Sequence, residues 1–247
     1  MIPTVSVVLL LVLFEVLVSI FHLGRGLIPA PSRIVPALVH DVFPVYMQNV
    51  PLTLGTAAIG YGIGNGLAIA LALAVFSLPP LRVLVYQIGL LLYALPFLAV
   101  IPILEVILGT GSEPRIIVVT LSCFFPTLTS TIRGLLATPQ RTRVLFTLYG
   151  ANGLERLWYM IVPYALPYVF VGLKLTVGFA FLTSLISEWI GANSGIGNLL
   201  LYEMFADRTP QVWATALLAS ATTGLLFGAM TLLERLVLPW SKHMSSL

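Results

Sequence analysis

The sequence predicts an all-α membrane protein that crosses a bilayer about six times. Three observations carry that reading. Of 247 residues, 59% are hydrophobic and 9% are charged, against roughly 25% charged in a soluble domain. A soluble fold of this size has too little interior for so many apolar side chains, and the mean hydropathy of +1.04 agrees. Apolar runs of about 20 residues, the length a helix needs to cross hydrocarbon, recur six times between short polar or turn-rich segments. They leave no room for a second, soluble domain.

The first run, 5–23, is read as an uncleaved span. Nothing basic precedes it, Glu15 interrupts it, and Gly24-Arg25 follows, which is not the pattern of a secretory leader. Residues 27–32 (LIPAPS) form a turn-rich loop. Residues 34–47 suit a short interfacial helix. The second span, 52–76, carries Gly55, Gly60, Gly62, Gly64 and Gly66. Its Gly62/Gly66 pair has the i, i+4 spacing that admits a neighbouring helix. Pro79-Pro80 ends it. The third span, 83–108, is expected to kink at Pro96 and Pro102, and a Gly-Thr-Gly-Ser turn over 109–112 leads into the fourth, 115–136. The least apolar stretch, 137–160, precedes the fifth span, 167–190. A Gly/Asn/Ser loop over 191–198 and a partly polar stretch to Pro210 lead to the sixth, 212–238.

With six spans both termini share one side. That side holds Arg82, Arg133, Arg141, Arg143, Arg156, Arg235 and Lys242, and the other holds Arg25, Arg33, Arg115 and Arg208. The richer side is cytoplasmic by the positive-inside rule, so both termini and the 137–160 loop are expected there.

Several functions are excluded. The twelve Lys and Arg are scattered, which is not a nucleic-acid footprint. A single cysteine, Cys123, permits no intrachain disulfide. Neither lysine, Lys174 or Lys242, follows a glycine, so there is no P-loop to wrap phosphates. His22, His40 and His243 have no metal-ligand spacing. Ser19 and His22 lack an orienting acid, and Asp41 and Asp207 lie outside the spans. The chain is therefore expected to be no enzyme and to hold no cofactor or metal.

Charges inside spans are costly and mark candidate sites. Glu15, Glu105, Lys174 and Glu188 are such residues. Lys174 and Glu188 lie about 21 Å apart along one helix face, shared with Gly178, Phe181 and Leu185. A polar translocation route along that face is one reading. The other is a snorkelling lysine and a hydrated interfacial carboxylate. No partner for Glu15 is legible. Tyr93, Phe97, Phe124, Phe181 and Trp189 are candidates to stack on a solute, with helix packing as the alternative.

In the 137–160 loop, Leu154, Leu157 and Trp158 have i, i+3, i+4 spacing, so a short amphipathic helix is expected. Gly150 before it permits close approach of another backbone. Such a helix docks a soluble partner or lies on lipid.

At this loop the chain resembles the permease subunit of a binding-protein-dependent ABC importer. That family's cytoplasmic signature runs Glu-Ala-Ala, three residues, Gly, nine residues, Ile, one residue, Leu-Pro. Gly150 and Pro163 fit the glycine and proline, and Met160 and Val162 replace the Ile and Leu. Val144-Leu145-Phe146 stand where Glu-Ala-Ala is expected. The likeness covers nearly the whole chain and is strongest to the nitrate/sulfonate/taurine/bicarbonate-type branch, which includes importers of thiamine pyrimidine precursors and riboflavin. Residues 29–32 (PAPS), 96–102 (PFLAVIP), Gly109-Thr110-Gly111, Phe124-Phe125-Pro126, Ala165-Leu166-Pro167, Gly172-Leu173-Lys174, Glu188 and 195–199 (GIGNL) carry it by order and spacing.

The resemblance implies a type I importer permease fold in a prokaryotic inner membrane. It implies contact with P-loop ATPase subunits, which bind the ATP and Mg, through Gly150, Ala151, Leu154, Leu157, Trp158 and Pro163. Other implied partners are a second permease copy or a related chain, a periplasmic or lipid-anchored substrate-binding protein, and membrane lipid. Carboxylates outnumber Lys174 in the spans, and an anion route favours cations. The solute is thus expected to be a neutral or cationic heteroaromatic of the pyrimidine-precursor kind, not a sulfonate or nitrate. The alternative class is a proton-coupled secondary carrier working through Glu15, Glu105 or Glu188 without an ATPase.

Overall fold

The computed structural model describes residues 13–19 and 28–240, apart from the side chains of residues 42, 43, 97 and 98. The described chain is helical throughout, with no strand. Helix α1 covers 13–19. Helix α2 (Pro31–Asp41) passes through a π-helical turn (Val42–Tyr46) into α3 (Met47–Val75). There follow α4 (Pro79–Tyr93), α5 (Phe97–Leu108), α6 (Glu113–Leu136), α7 (Gln140–Leu148) and the single turn α8 (Gly153–Arg156). A second π-helical turn (Leu157–Ile161) leads into α9 (Val162–Ser187), and α10 (Ile196–Phe205) and α11 (Thr209–Val237) complete the fold.

Four helical stretches among the described residues are long and apolar enough to cross a membrane: Pro44–Val75, Glu113–Leu136, Gly153–Ser187 and Thr209–Val237. The stretch expected as the third span is two helices, α4 and α5, separated where Pro96, which lacks an N–H, takes an extended backbone at ψ 96°. Pro102 remains inside α5. The expected interfacial helix is likewise continuous with the second span. The expected first span is described only over 13–19, and both chain ends lie outside the described residues.

Helix α6 is the centre, with α3 and α9 packed against it and α4 and α5 beside it. Small residues set these distances. A Cβ on Gly60 would strike the Val119 side chain at 2.6 Å, and one on Gly64 would meet the Thr120 carbonyl at 2.5 Å. Gly62 and Gly66, the pair expected to form the contact, have nothing within 4 Å. Both pairs have i, i+4 spacing, and the structure uses the other face of α3.

Ala68, Ala72, Leu128, Ile132, Leu135 and Ala165 form one end of the core. Midway, Asn65 Oδ1 accepts hydrogen bonds from Thr127 Oγ1 (2.5 Å) and Thr176 Oγ1 (3.0 Å), which ties α3, α6 and α9 together. In lipid such bonds hold helices where no hydrophobic force does. Phe181, Leu185, Ile196 and Ala219 form the other end and join α9, α10 and α11.

Candidate functional site

At one end of the bundle the chain leaves α6 and turns twice. Helix α7 ends in a Schellman motif: Ala151 N–H donates to the Phe146 carbonyl (3.0 Å) and Gly150 N–H to that of Thr147 (3.1 Å). That motif needs a left-handed residue after the helix, and Gly150 has φ +68°. Two residues on, Asn152 begins α8 with a capping box. Its Oδ1 accepts from Glu155 N–H (2.9 Å), and Glu155 Oε2 accepts from Asn152 N–H (2.8 Å). The signature glycine thus shapes a helix–turn–helix, and it has open space beside it, nothing lying within 4 Å of a Cβ there.

Leu154, Leu157 and Trp158 do not form the separate short helix expected of them. They begin a continuous 35-residue helix, Gly153–Ser187. The π turn Leu157–Ile161 stands just before Pro163, which has no N–H to donate. Leu148, Tyr149, Leu154, Trp158 and Tyr159 are exposed, Tyr149 at 86%. Leu157 is partly covered.

The opposite end is built around Glu188, which follows α9. It is 3% exposed. Its Oε2 accepts hydrogen bonds from Thr53 Oγ1 (3.0 Å) and Gly197 N–H (2.7 Å). The carboxylate thus sits at the N-terminus of α10, where it satisfies an orphan donor and faces the positive end of the helix. Thr53 Oγ1 also accepts from Ile196 N–H (2.9 Å), Ser184 Oγ donates to the Thr53 carbonyl (3.1 Å), and Asn49 Oδ1 accepts from Gly195 N–H (2.8 Å). Gly195, at φ +104°, leaves no room for a Cβ beside that carboxylate. At the far end of α10, buried Glu203 accepts from Thr215 Oγ1 (2.7 Å), which lies 3.2 Å from the Tyr46 hydroxyl. Burial raises the Glu203 carboxyl above the usual carboxylate value of 4.5. Two buried glutamates therefore bolt α10 to α3, α9 and α11.

The face of α9 read as a polar route packs inside the chain. Phe181 is buried in the core. Lys174 Nζ donates to Glu234 Oε2 on α11 at 2.7 Å, with about a fifth of each side chain exposed. Glu188 is enclosed as described, so these three side chains face protein neighbours. Tyr93 stacks obliquely on Phe125, centroids 5.3 Å apart. Phe124 packs against the Ala68–Leu128 cluster. The Phe97 side chain lies outside those described. Glu105 adjoins Gly191, with Oε1 buried and unpartnered, and Arg115 donates to the Gly191 carbonyl at 3.1 Å.

Glu15 finds a partner that the sequence did not reveal. It accepts from Ser32 N–H (3.1 Å) and Ser32 Oγ (2.7 Å) at the start of α2. Asn65, Thr53, Glu203 and Glu234 were also missed. Asn65 had a signal, since it is the one amide within the apolar run 52–76. Glu234 sits beside Arg235 at a helix end and reads as an ordinary interfacial charge.

Comparison with known proteins agrees with this architecture. Residues 64–239 match the family described as "Binding-protein-dependent transport system inner membrane component". The chain is 30% identical to the formylaminopyrimidine transport permease protein ThiX of Halalkalibacterium halodurans, over 97% of this chain and 96% of that one. It is 29% identical to the taurine transport system permease protein TauC of Escherichia coli, over 86% and 75%. It is 27% identical to the putative aliphatic sulfonates transport permease protein SsuC of Bacillus subtilis, over 93% and 86%. Among solved structures, an inward-facing MetNI methionine ABC transporter superposes with TM-score 0.67 at 18% identity, covering 76% of this chain and 94% of that chain. The fold, the shaped Gly150 turn and the 64–239 match together place the chain in the family of binding-protein-dependent transport system inner membrane components, as a membrane-embedded permease subunit of an ABC importer.

Proposed function

We propose that this permease couples to P-loop ATPase subunits through the 137–160 segment. It pairs with a second copy or a related chain, and it receives from a periplasmic or lipid-anchored binding protein a small heteroaromatic solute of the pyrimidine-precursor kind. ATP and Mg belong to the ATPase. What supports the coupling is the rim of exposed apolar side chains, Leu148, Tyr149, Leu154 and Trp158, raised on a rigid double turn at the arginine-rich end. Water-exposed apolar groups at such density mark a protein contact.

The solute reading rests on one observation above all. Lys174, the lysine within the described spans, is neutralised by Glu234, so it offers no free cation to a sulfonate. The 30% identity to a formylaminopyrimidine permease points the same way. Tyr93 keeps open surface at the α4–α5 break, Glu105 is partly covered near the far end of α5, and Leu175, Phe179 and Leu182 form an exposed stripe along α9. These residues are the candidates to line the route.

The test is purification of the tagged chain from its own membranes with identification of stoichiometric partners, followed by ATP-driven uptake in vesicles with the co-purifying binding protein. A P-loop ATPase and uptake of aminopyrimidines in preference to taurine are expected. Uptake without ATP under a proton gradient would instead support a carrier, and a preference for taurine would overturn the solute reading alone.

A further inference from the structure

Where α6 ends, the 138–148 segment with α7 borders an open cleft of about 690 Å³ lined by Thr138, Gln140, Arg143, Val144, Thr147 and Leu148. A second recess of about 210 Å³ adjoins it, with Arg143 and Thr147 shared and Phe76, Arg156, Met160 and Ile161 added. Two features single this cleft out. Thr138 is 5% exposed, and its Oγ1 is buried without a hydrogen-bond partner. Arg143 and Arg156 have no carboxylate within 4.0 Å among the described residues. Each guanidinium carries five N–H donors, and among the described residues the side-chain bonds to protein are one from Arg143 Nη2 to the Leu136 carbonyl (3.1 Å) and one from Arg156 Nε to the Ala151 carbonyl (2.9 Å). The cleft with its idle Thr138 hydroxyl and the adjoining recess with Arg156, joined through Arg143, are together complementary to an anion rich in acceptor oxygens.

Depth identifies the kind of anion. Helix α6 is 24 residues long, about 36 Å, and Thr138 lies just past its end. Ile161 precedes Ser187 by 26 positions on one continuous helix, about 39 Å. A bilayer with its headgroups is about 40–45 Å thick. The cleft therefore stands at headgroup level, beside Phe76 where the chain turns between α3 and α4. Phe76, Met160 and Ile161 supply apolar wall and the arginines supply charge. Basic pockets between helices at this level suit acidic lipid headgroups.

We propose that this cleft is a binding site for an anionic phospholipid. Arg143 and Arg156 hold the phosphate, Thr138 Oγ1 donates to a headgroup oxygen, and the acyl chains run along Phe76, Met160 and Ile161. The lipid would then brace the arm that carries Gly150.

The test is native mass spectrometry of the intact importer in mild detergent, with phosphatidylglycerol or phosphatidylcholine added at equal concentration. The expected result is at least a five-fold excess of phosphatidylglycerol adducts, reduced to the phosphatidylcholine level in the double variant Arg143→Gln/Arg156→Gln and partly kept in Arg143→Lys/Arg156→Lys. Equal uptake of the two lipids by the unaltered protein would overturn the proposal. So would an unchanged preference in the glutamine variant, including the case where that variant sheds its ATPase, which would assign the arginines to the protein partner. Should the variant fail to assemble, photoactivatable phosphatidylglycerol on the unaltered importer decides. Labelling within 138–161 is expected, and labelling confined to other segments refutes the site.

Discussion

Glu188 and Thr53 meet at 3.0 Å although 135 positions separate them, and through Oε2 of that one carboxylate the end of α9, the first turns of α3 and the N-terminus of α10 are joined. A charge that the sequence marks as a candidate for a solute route is used as a helix cap. Glu188→Ala leaves the buried Gly197 N–H without an acceptor, a loss of about 1–3 kcal/mol, whereas Glu188→Gln keeps an acceptor oxygen. A thermal unfolding series in detergent should rank Ala well below Gln, with Gln near the unaltered protein. Equal losses would deny the capping role.

Packing of α3 against α6 depends on Gly60 and Gly64, not on Gly62 and Gly66. Gly64→Val forces a methyl group into the Thr120 carbonyl and should cost about 1–3 kcal/mol. Gly66→Val meets open space and should change protomer stability by less than about 0.5 kcal/mol. Fluorescence-detected size exclusion after graded heating separates the two. Equal damage would show that the faces are assigned the wrong way round.

The Lys174–Glu234 pair ties α9 to α11. Removing one partner strands a charge, at up to about 3–5 kcal/mol for a fully buried pair and less here because each side chain is partly exposed. Lys174→Met and Glu234→Met should each destabilise, and the double variant should recover much of the loss. A double-mutant cycle measures this, and simple additivity would mean that the two side chains do not interact.

Glu203 carries a pH signature. Burial raises its folded-state value above 4.5; Asp41 adds to the rise, while the Thr215 hydrogen bond and the Arg208 charge oppose it. Its neutral form is thus the one the fold favours, so its contribution is complete below about pH 4.5 and falls away as pH rises through the raised value. Glu203→Gln stays neutral and keeps an acceptor for Thr215. The Tm gap between this variant and the unaltered protein should widen in the variant's favour as pH rises across that window. A gap independent of pH would place the titration elsewhere.

Much of the architecture was legible beforehand. The apolar runs at 52–76, 115–136, 167–190 and 212–238 fall on the long helices at 44–75, 113–136, 153–187 and 209–237, because bilayer thickness sets their minimum length. Pro96 marks an interruption, whereas Gly150, read as a point of close backbone approach, has open space beside it and serves the chain as a left-handed turn. Partners were not legible. Ser32 for Glu15, Glu234 for Lys174 and Thr53 for Glu188 lie 17, 60 and 135 positions away, and no local spacing rule reaches that far.

By itself, then, the sequence determined the solvent this protein lives in, the helices that solvent requires, and the punctuation between them. Which face of each helix turns inward was decided only by tertiary structure. In water, an apolar stripe against a polar face announces the buried side. Helices α3 and α9 are apolar all round, because lipid and protein interior are alike in polarity, so periodicity carries no direction. Steric fit at Gly60 and Gly64 and the pairing of Asn65, Lys174 and Glu188 set that direction instead. Those are properties of two or three helices at once, and they do not exist until the helices meet.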